Sequence, residues 1–124
     1  SCVCWDGDTQ IAKVAKPIGV IGSVTPTTNP VITVMHNSAC AMKCGNAIII
    51  CPHPRAKKVG VKTVELMNAE LKKLGMPENL IQIIPEPTMD LSAGLMSAVD
   101  LCICTGGPSM VRAAYSSGKP AIGI

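Results

Sequence analysis

A doubly wound α/β fold with a parallel sheet, Rossmann-like in layout, is what this sequence predicts, and three observations predict it. From position 17 onward, short apolar runs alternate with longer segments of helical periodicity. The apolar runs are rich in Ile, Val, Ala and Cys and nearly continuous, as in strands buried on both faces. Hydrophobic residues make up 48% of the chain but aromatics only 2%, and Phe is absent, so the core is aliphatic. A length of 124 residues suffices for one modest domain with a real core, not for a two-domain enzyme.

The elements follow in order. Within residues 1–14, Asp6-Gly7 is a hairpin turn signal flanked by segments of partial alternation. Residues 17–24 read as a buried strand, and 31–43 as a helix ended by Gly45. Residues 47–51 form a second strand, stopped by Pro52 and Pro54. The helix over 55–74 has the strongest pattern: Val64, Met67, Leu71 and Leu74 repeat at three-four spacing, and Gly75 with Pro77 supplies the stop. A strand at 80–84, a short helix at 89–96 and a strand at 101–105 come next. Residues 108–117 read as a helix with Pro108 near its first turn and Gly118 after it, and 121–124 begin a last strand. Such alternation means parallel pairing with right-handed crossovers. Two units are expected, a hairpin arm at 1–16 and an α/β domain at 17–124. The chain opens on Ser1 and stops inside an apolar pattern, as a piece of a longer protein would.

Composition excludes several classes of function. A net charge of +3 without a basic-aromatic stripe gives no footprint for nucleic acid. Pro, Gly or charge interrupts every apolar run well before a bilayer-spanning length, and no secretory segment is visible. Seven cysteines, Cys2, Cys4, Cys40, Cys44, Cys51, Cys102 and Cys104, are an odd number, and five lie in or beside regular elements. Cys40 and Cys44 share a helical face, and Cys102 and Cys104 share a strand face. Zinc sites use two-residue gaps in tight loops instead. The cysteines are therefore read as small buried hydrophobes, with neither disulfides nor a metal site.

Chemistry concentrates at the ends of the expected strands. Thr25-Pro-Thr-Thr-Asn-Pro30 is a polar loop between a buried strand and a helix, where open α/β sheets place ligands. Asn29 there offers an amide N–H to a developing oxyanion, although an Asn between prolines is commonly a plain turn residue. Thr105-Gly-Gly-Pro108 joins a strand to a helix, so free N–H groups could face an anion. It is neither GxGxxG nor a P-loop, and many such turns carry two glycines for geometry alone. Arg55, Lys57 and Lys58 open the next helix; they read as a solvated face, or as cations for a ribose phosphate of NADP or coenzyme A. His53 reads as a turn-capping or surface residue, and His36 as an ordinary helix residue.

Together with Cys51-Pro-His-Pro54, Thr105-Gly-Gly-Pro-Ser-Met-Val111 and Ser116-Ser-Gly-Lys-Pro120, that loop resembles the aldehyde dehydrogenase superfamily, in its CoA-acylating branch. The resemblance runs from about Asp8 to Ile124. It implies oxidation of a small aldehyde to its acyl-CoA, with NAD or NADP as cofactor and coenzyme A as co-substrate. A cysteine thiolate would form a thiohemiacetal, hydride would pass to nicotinamide, and the resulting thioester would transfer to coenzyme A. By correspondence, Asn29 is the oxyanion donor, and Thr25, Pro26, Thr27 and Thr28 line the nicotinamide side. Cys51, Pro52, His53 and Pro54 border the adenosine ribose, and many relatives carry Lys where Cys51 stands. Thr105, Gly106, Gly107 and Val111 belong to the turn over the pyrophosphate. None of the seven cysteines matches the family's nucleophile, so this segment alone is expected to be inactive. Hydrolytic relatives place a general-base Glu in a register that falls near Gly123, and its absence fits coenzyme A as acyl acceptor. A homo-oligomer is expected, with the arm pairing between subunits, in the cytoplasm or in a bacterial microcompartment. Two other classes stay open: a stand-alone nucleotide-binding module, and a structural or oligomerisation fragment without catalysis.

Overall fold

The computed structural model describes residues 2–124, without the side chain of Cys2. Two sheets organise them. Strands β1 (Cys2–Asp6) and β2 (Ile11–Val14) form an antiparallel hairpin. The second sheet has five parallel strands in the order β5-β4-β3-β6-β7. They are β3 (Val20–Thr25), β4 (Ala47–Pro52), β5 (Ile81–Ile83), β6 (Leu101–Cys104) and β7 (Ala121–Gly123). Between them run α1 (Pro30–Lys43), α2 (Lys57–Lys73), α3 (Met89–Ala98) and α4 (Pro108–Tyr115). The chain starts at the central strand β3, winds outward to β5, then returns beside β3 and winds the other way. This is the doubly wound order expected from alternation.

Winding in both directions puts a helix pair on each face, and each pair closes its own apolar cluster. Val34 and Ala41 of α1 and Val64 of α2 pack with Ile21, Ile48, Ile50 and Ile81. Leu95 and Met96 of α3 and Ala114 of α4 pack with Val24, Cys51, Cys102 and Cys104. Ile48 and Ile50 have no exposed surface, and each such side chain stabilises the fold by about 1.5–3 kcal/mol. Ile50 to Cys51 shows the period-2 alternation that sends neighbours to opposite clusters.

Several boundaries differ from those the sequence suggests. Pro52 is the last residue of β4 rather than its stop, paired with Thr25; the Thr25 carbonyl takes its bond from the His53 N–H at 3.1 Å, so the missing proline N–H breaks nothing. The helix expected from 55 begins with a single 3-10 turn, Pro54–Ala56, closed by Ala56 N–H to the His53 carbonyl at 2.8 Å. Leu74 lies just past the end of α2 and is 76% exposed, whereas Met67 and Leu71 pack onto the core as their spacing requires. The hairpin turn spans residues 7–10, longer than Asp6-Gly7 alone, with Asp6 Oδ1 accepting the Asp8 N–H at 3.0 Å. Cysteine burial divides as well. Cys51, Cys102 and Cys104 are buried as expected, but Cys4, Cys40 and Cys44 are exposed. The buried stripe of α1 is Val34, Asn37, Ser38 and Ala41, which leaves Cys40 and Cys44 on its outer side.

The edge where the strands begin is closed by side chains. Asn46 Oδ1 accepts the N–H groups of Ile18 at 2.6 Å and Gly19 at 2.9 Å. Asp100 Oδ2 accepts the Val20 N–H at 2.8 Å. Gly19 has φ +129, a conformation suited to glycine, and any side chain there would collide with the Asp100 carboxylate.

Candidate functional site

All strands of a parallel sheet end at one edge, so the loops after β3, β4, β5 and β6 meet there. Strands β3 and β6 are neighbours, yet the chain leaves β3 toward one face and β6 toward the other. A crevice must open between their ends, and it is where ligands of open α/β sheets sit. A cleft of about 650 Å³ occupies this place.

The cleft gathers ten of the thirteen candidate site residues. Thr25, Pro26, Thr27 and Thr28 come from the loop after β3; Pro52, His53 and Pro54 from the end of β4; Thr105, Gly106 and Gly107 from the turn after β6. Main-chain bonds hold these segments in place. His53 N–H donates to the Thr25 carbonyl at 3.1 Å, and Thr105 N–H donates to the Val24 carbonyl at 3.0 Å. Gly106 N–H donates to the Ile124 carbonyl at 3.1 Å. The His53 ring accepts the Arg55 N–H at Nδ1, 3.1 Å, which is the turn-capping role read from the sequence.

The other three candidates stand off the lining. Asn29 is exposed at the start of α1. Its carbonyl accepts the Thr33 N–H at 3.0 Å, but its side chain makes no capping bond, so the amide is uncommitted. Cys51 is buried behind the wall, its sulfur 3.1 Å from Ser92 Oγ, and Ser92 itself lines the cleft. Val111 lies behind the Gly-Gly turn, where α4 packs against β7.

Sequence reasoning missed a further wall. Pro87, Thr88, Met89 and Ser92, from the loop after β5 and the first turn of α3, face the cleft along with Ser109, Met110 and Ile124. The signal for the first group was present: Thr88 caps α3, accepting the Leu91 N–H at 3.1 Å, so a strand end and a helix start lie on the same edge.

The chemistry on offer is polar but nearly uncharged. Among the described residues no Asp, Glu, Lys or Arg lines the cleft, and His53 is the one titratable side chain there. The buried thiols are unsuited to nucleophilic work, which needs the thiolate. Loss of hydration pushes the Cys51 thiol up, partly offset by Ser92, and pushes Cys102 up as well. Cys104 is raised to about 11 by desolvation and then by its neighbour Cys102. The glycine turn is more telling. Gly107 has φ −67 and ψ 163, open to any residue, and a Cβ built on it meets nothing within 4 Å. A Cβ on Gly106 would make only ordinary contact, 3.6 Å from Met110 Cβ. The fold therefore does not demand glycine at 107; what glycine leaves there is bare backbone beside the cleft.

Comparison with known proteins places the chain in a family. The sequence model described as the aldehyde dehydrogenase family matches residues 3–122. Succinate-semialdehyde dehydrogenase (acetylating) from Clostridium kluyveri is 58% identical over 117 residues, 94% of this chain and 26% of that protein. The acetylating aldehyde dehydrogenase structure from Geobacillus thermoglucosidasius matches with a TM-score of 0.93 at 38% identity, over 99% of this chain and 28% of that one. Propionaldehyde dehydrogenase from Rhodopseudomonas palustris, solved with bound CoA and an acylated cysteine, matches at 0.85 and 43% identity, over 87% of this chain and 25% of its own. An engineered glycolyl-CoA reductase with bound NADP+ matches at 0.81 and 41%, with the same coverage of 87% and 25%. The chain thus spans about a quarter of the length of the relatives it matches.

Proposed function

The chain belongs to the aldehyde dehydrogenase family, and on that premise we propose that it is the NAD(P)-binding segment of an oxidoreductase that converts a small aldehyde to its acyl-CoA. The observation that carries this reading is Gly107: backbone left bare beside a switch-point cleft, at a position where the fold accepts a side chain. Hydride acceptance and acyl acceptance are what the dinucleotide and coenzyme A supply when bound.

The residues of this chain bind and orient. Thr105, Gly106 and Gly107 let a pyrophosphate approach main chain at the start of α4. Pro52, His53 and Pro54 border the adenosine ribose, and Thr25 to Thr28 line the nicotinamide side. Asn29, its amide free of capping duty, donates to the oxyanion that forms as a thiolate adds to the aldehyde carbonyl. Cys51 acts through Ser92, by shape, rather than by touching the nucleotide. A side chain at Gly123 would collide with Val111 and Tyr115, whose Oη accepts the Gly123 N–H at 3.1 Å. That packing leaves no room for a water-activating carboxylate, in keeping with coenzyme A as acceptor. The nucleophilic cysteine belongs to a part of the protein outside these residues, so the segment alone binds without turnover.

The full-length protein should reduce NAD+ with a short aldehyde only when coenzyme A is present. Release of free acid at a comparable rate without coenzyme A would overturn the acylating assignment. The hairpin is proposed as the assembly arm of a homo-oligomer, since it exposes Val3, Trp5, Ile11 and Val14 on a two-stranded sheet that is marginal by itself. Deleting residues 1–9 from the full-length protein should lower its mass by light scattering at low micromolar concentration. An oligomer that survives this deletion assigns assembly elsewhere.

A further inference from the structure

Helix α4 is tied to β7 near both of its ends. Just before its start, the Gly106 N–H donates to the Ile124 carbonyl at 3.1 Å, and Ile124 donates its own N–H to the Cys104 carbonyl at 2.9 Å. At its last residue, Tyr115 Oη accepts the Gly123 N–H at 3.1 Å. Gly106 and Ile124 both line the cleft, whereas Tyr115 stands outside it. A surface tyrosine thus reaches the glycine turn on the cleft wall through two consecutive main-chain residues.

The bond meets a need of the sheet. β7 is an outermost strand and pairs only with β6. Because the Ile124 N–H turns toward β6, the N–H of Gly123 turns the other way, to the open side, where an unpaired donor is left to water or to another strand. Helical side chains lean toward the N-terminus, which lays Tyr115 over the preceding turn beside Val111 and against Gly123. A Cβ on Gly123 would collide with Val111 Cγ1 and stand 3.2 Å from Tyr115 Oη, so glycine is what lets strand and helix come this close. Tyr115 is 58% exposed. Little is gained by burying its ring, and the directed contact is the hydroxyl's.

We propose that Tyr115 is a positioning residue for the bound nucleotide: by holding Gly123 it fixes Ile124, and through the Ile124 carbonyl it fixes the Gly106 N–H and the glycine turn beside the cleft. This rests on the nucleotide-binding reading above. Tyr115 itself touches neither nucleotide nor aldehyde. The coupling is reciprocal, so a nucleotide that orders the turn also orders the end of β7.

Tyr115→Phe tests this in the full-length protein, because it removes the oxygen and keeps a ring against Gly123. Calorimetry should show NAD+ binding about fivefold weaker, the free energy of a single hydrogen bond. The KM for the dinucleotide should rise by a similar factor with kcat unchanged, as when binding common to ground and transition states is lost. Amide hydrogen exchange, followed by mass spectrometry on peptides that contain Gly106 or Gly123, should be faster in the variant at both places, and NAD+ should slow both in the wild-type protein. A merely structural role would lower the melting temperature and leave the KM and the Gly106 exchange unmoved. Equal NAD+ affinity in the two proteins, or a loss of affinity with Gly106 exchange unchanged, overturns the role of Tyr115, while NAD+ binding by the wild-type protein upholds the cleft. If the wild-type protein binds no dinucleotide, the nucleotide-binding reading falls, and the positioning role falls with it.

Discussion

At the edge where the strands begin, Asn46 and Asp100 bond the N–H groups of Ile18, Gly19 and Val20; at the edge where they end, Asn29 and Gly107 open their helices without a side-chain cap. The sheet is the same at both edges, so the contrast lies in what the side chains are committed to. Bonded side chains fix the start of β3 against β4 and β6, the two strands it pairs with. At the other edge Thr88 and His53 cap their own turns, but Asn29 and Gly107 leave the starts of α1 and α4 without a side-chain cap. A missing helix cap costs about 1 kcal/mol. On the function proposed above, stability belongs to one edge and binding to the other.

Asn29 gives the sharpest test of that division. Asn29→Ala in the full-length protein should lower the rate of the chemical step roughly 100- to 1000-fold, with stability and dinucleotide affinity little changed. Stopped-flow rates with equilibrium titration separate these outcomes. A collapse of affinity with an intact rate would make Asn29 a turn residue and blur the contrast between the edges.

Asn46→Ala probes the opposite edge. It removes the acceptor of two N–H groups and should cost about 2 kcal/mol of unfolding free energy. Urea titration measures this, and nucleotide affinity below the transition should be unaltered. If stability held and affinity fell, function would reach through the whole sheet. Gly107→Val should do the reverse, weakening dinucleotide binding about tenfold, or about 1.4 kcal/mol, with the fold intact. Unchanged binding in calorimetry would reject a pyrophosphate role for the turn.

The two edges also differ in how far they could be read from sequence. Loops at the binding edge announce themselves locally: Pro, Thr, Asn and Gly cluster between apolar runs, and periodicity changes across them. Val64, Met67 and Leu71 mark α2 in the same way, and all three reach the core. The ties of the closed edge span 27, 28 and 80 positions, and nothing beside Asn46 or Asp100 in the chain points to their partners. The wall formed by Pro87, Thr88 and Ser92 fell between these cases, because it needs the strand order as well as the local pattern. Cys40 and Cys44 show the limit of composition: residue type suggested burial, but their place on α1 decided against it.

The thiol of Cys104, the last residue of β6, is buried in the core behind the cleft and lines neither edge, and it should give the smallest effect. Unfolded, this thiol ionises near its ordinary 9.0; folded, desolvation and Cys102 hold it to about 11. Below pH 9 both states keep the proton, so its contribution to stability is fully present. Between 9 and 11 the unfolded chain releases a proton that the native state retains, and stability falls with rising pH. By pH 10 the loss should be about 1 kcal/mol, the free energy of nearly one unit of proton imbalance. Exposed groups titrate in this range too, so the measure is a difference: urea stability from pH 8 to 11 for the wild-type protein against Cys104→Ala. The variant should start lower at pH 8, having lost packing, and decline less steeply above 9. Parallel curves would show that the Cys104 thiol ionises in the folded sheet as easily as in the unfolded chain, and the core behind the end of β6 would then be wetter than its packing implies.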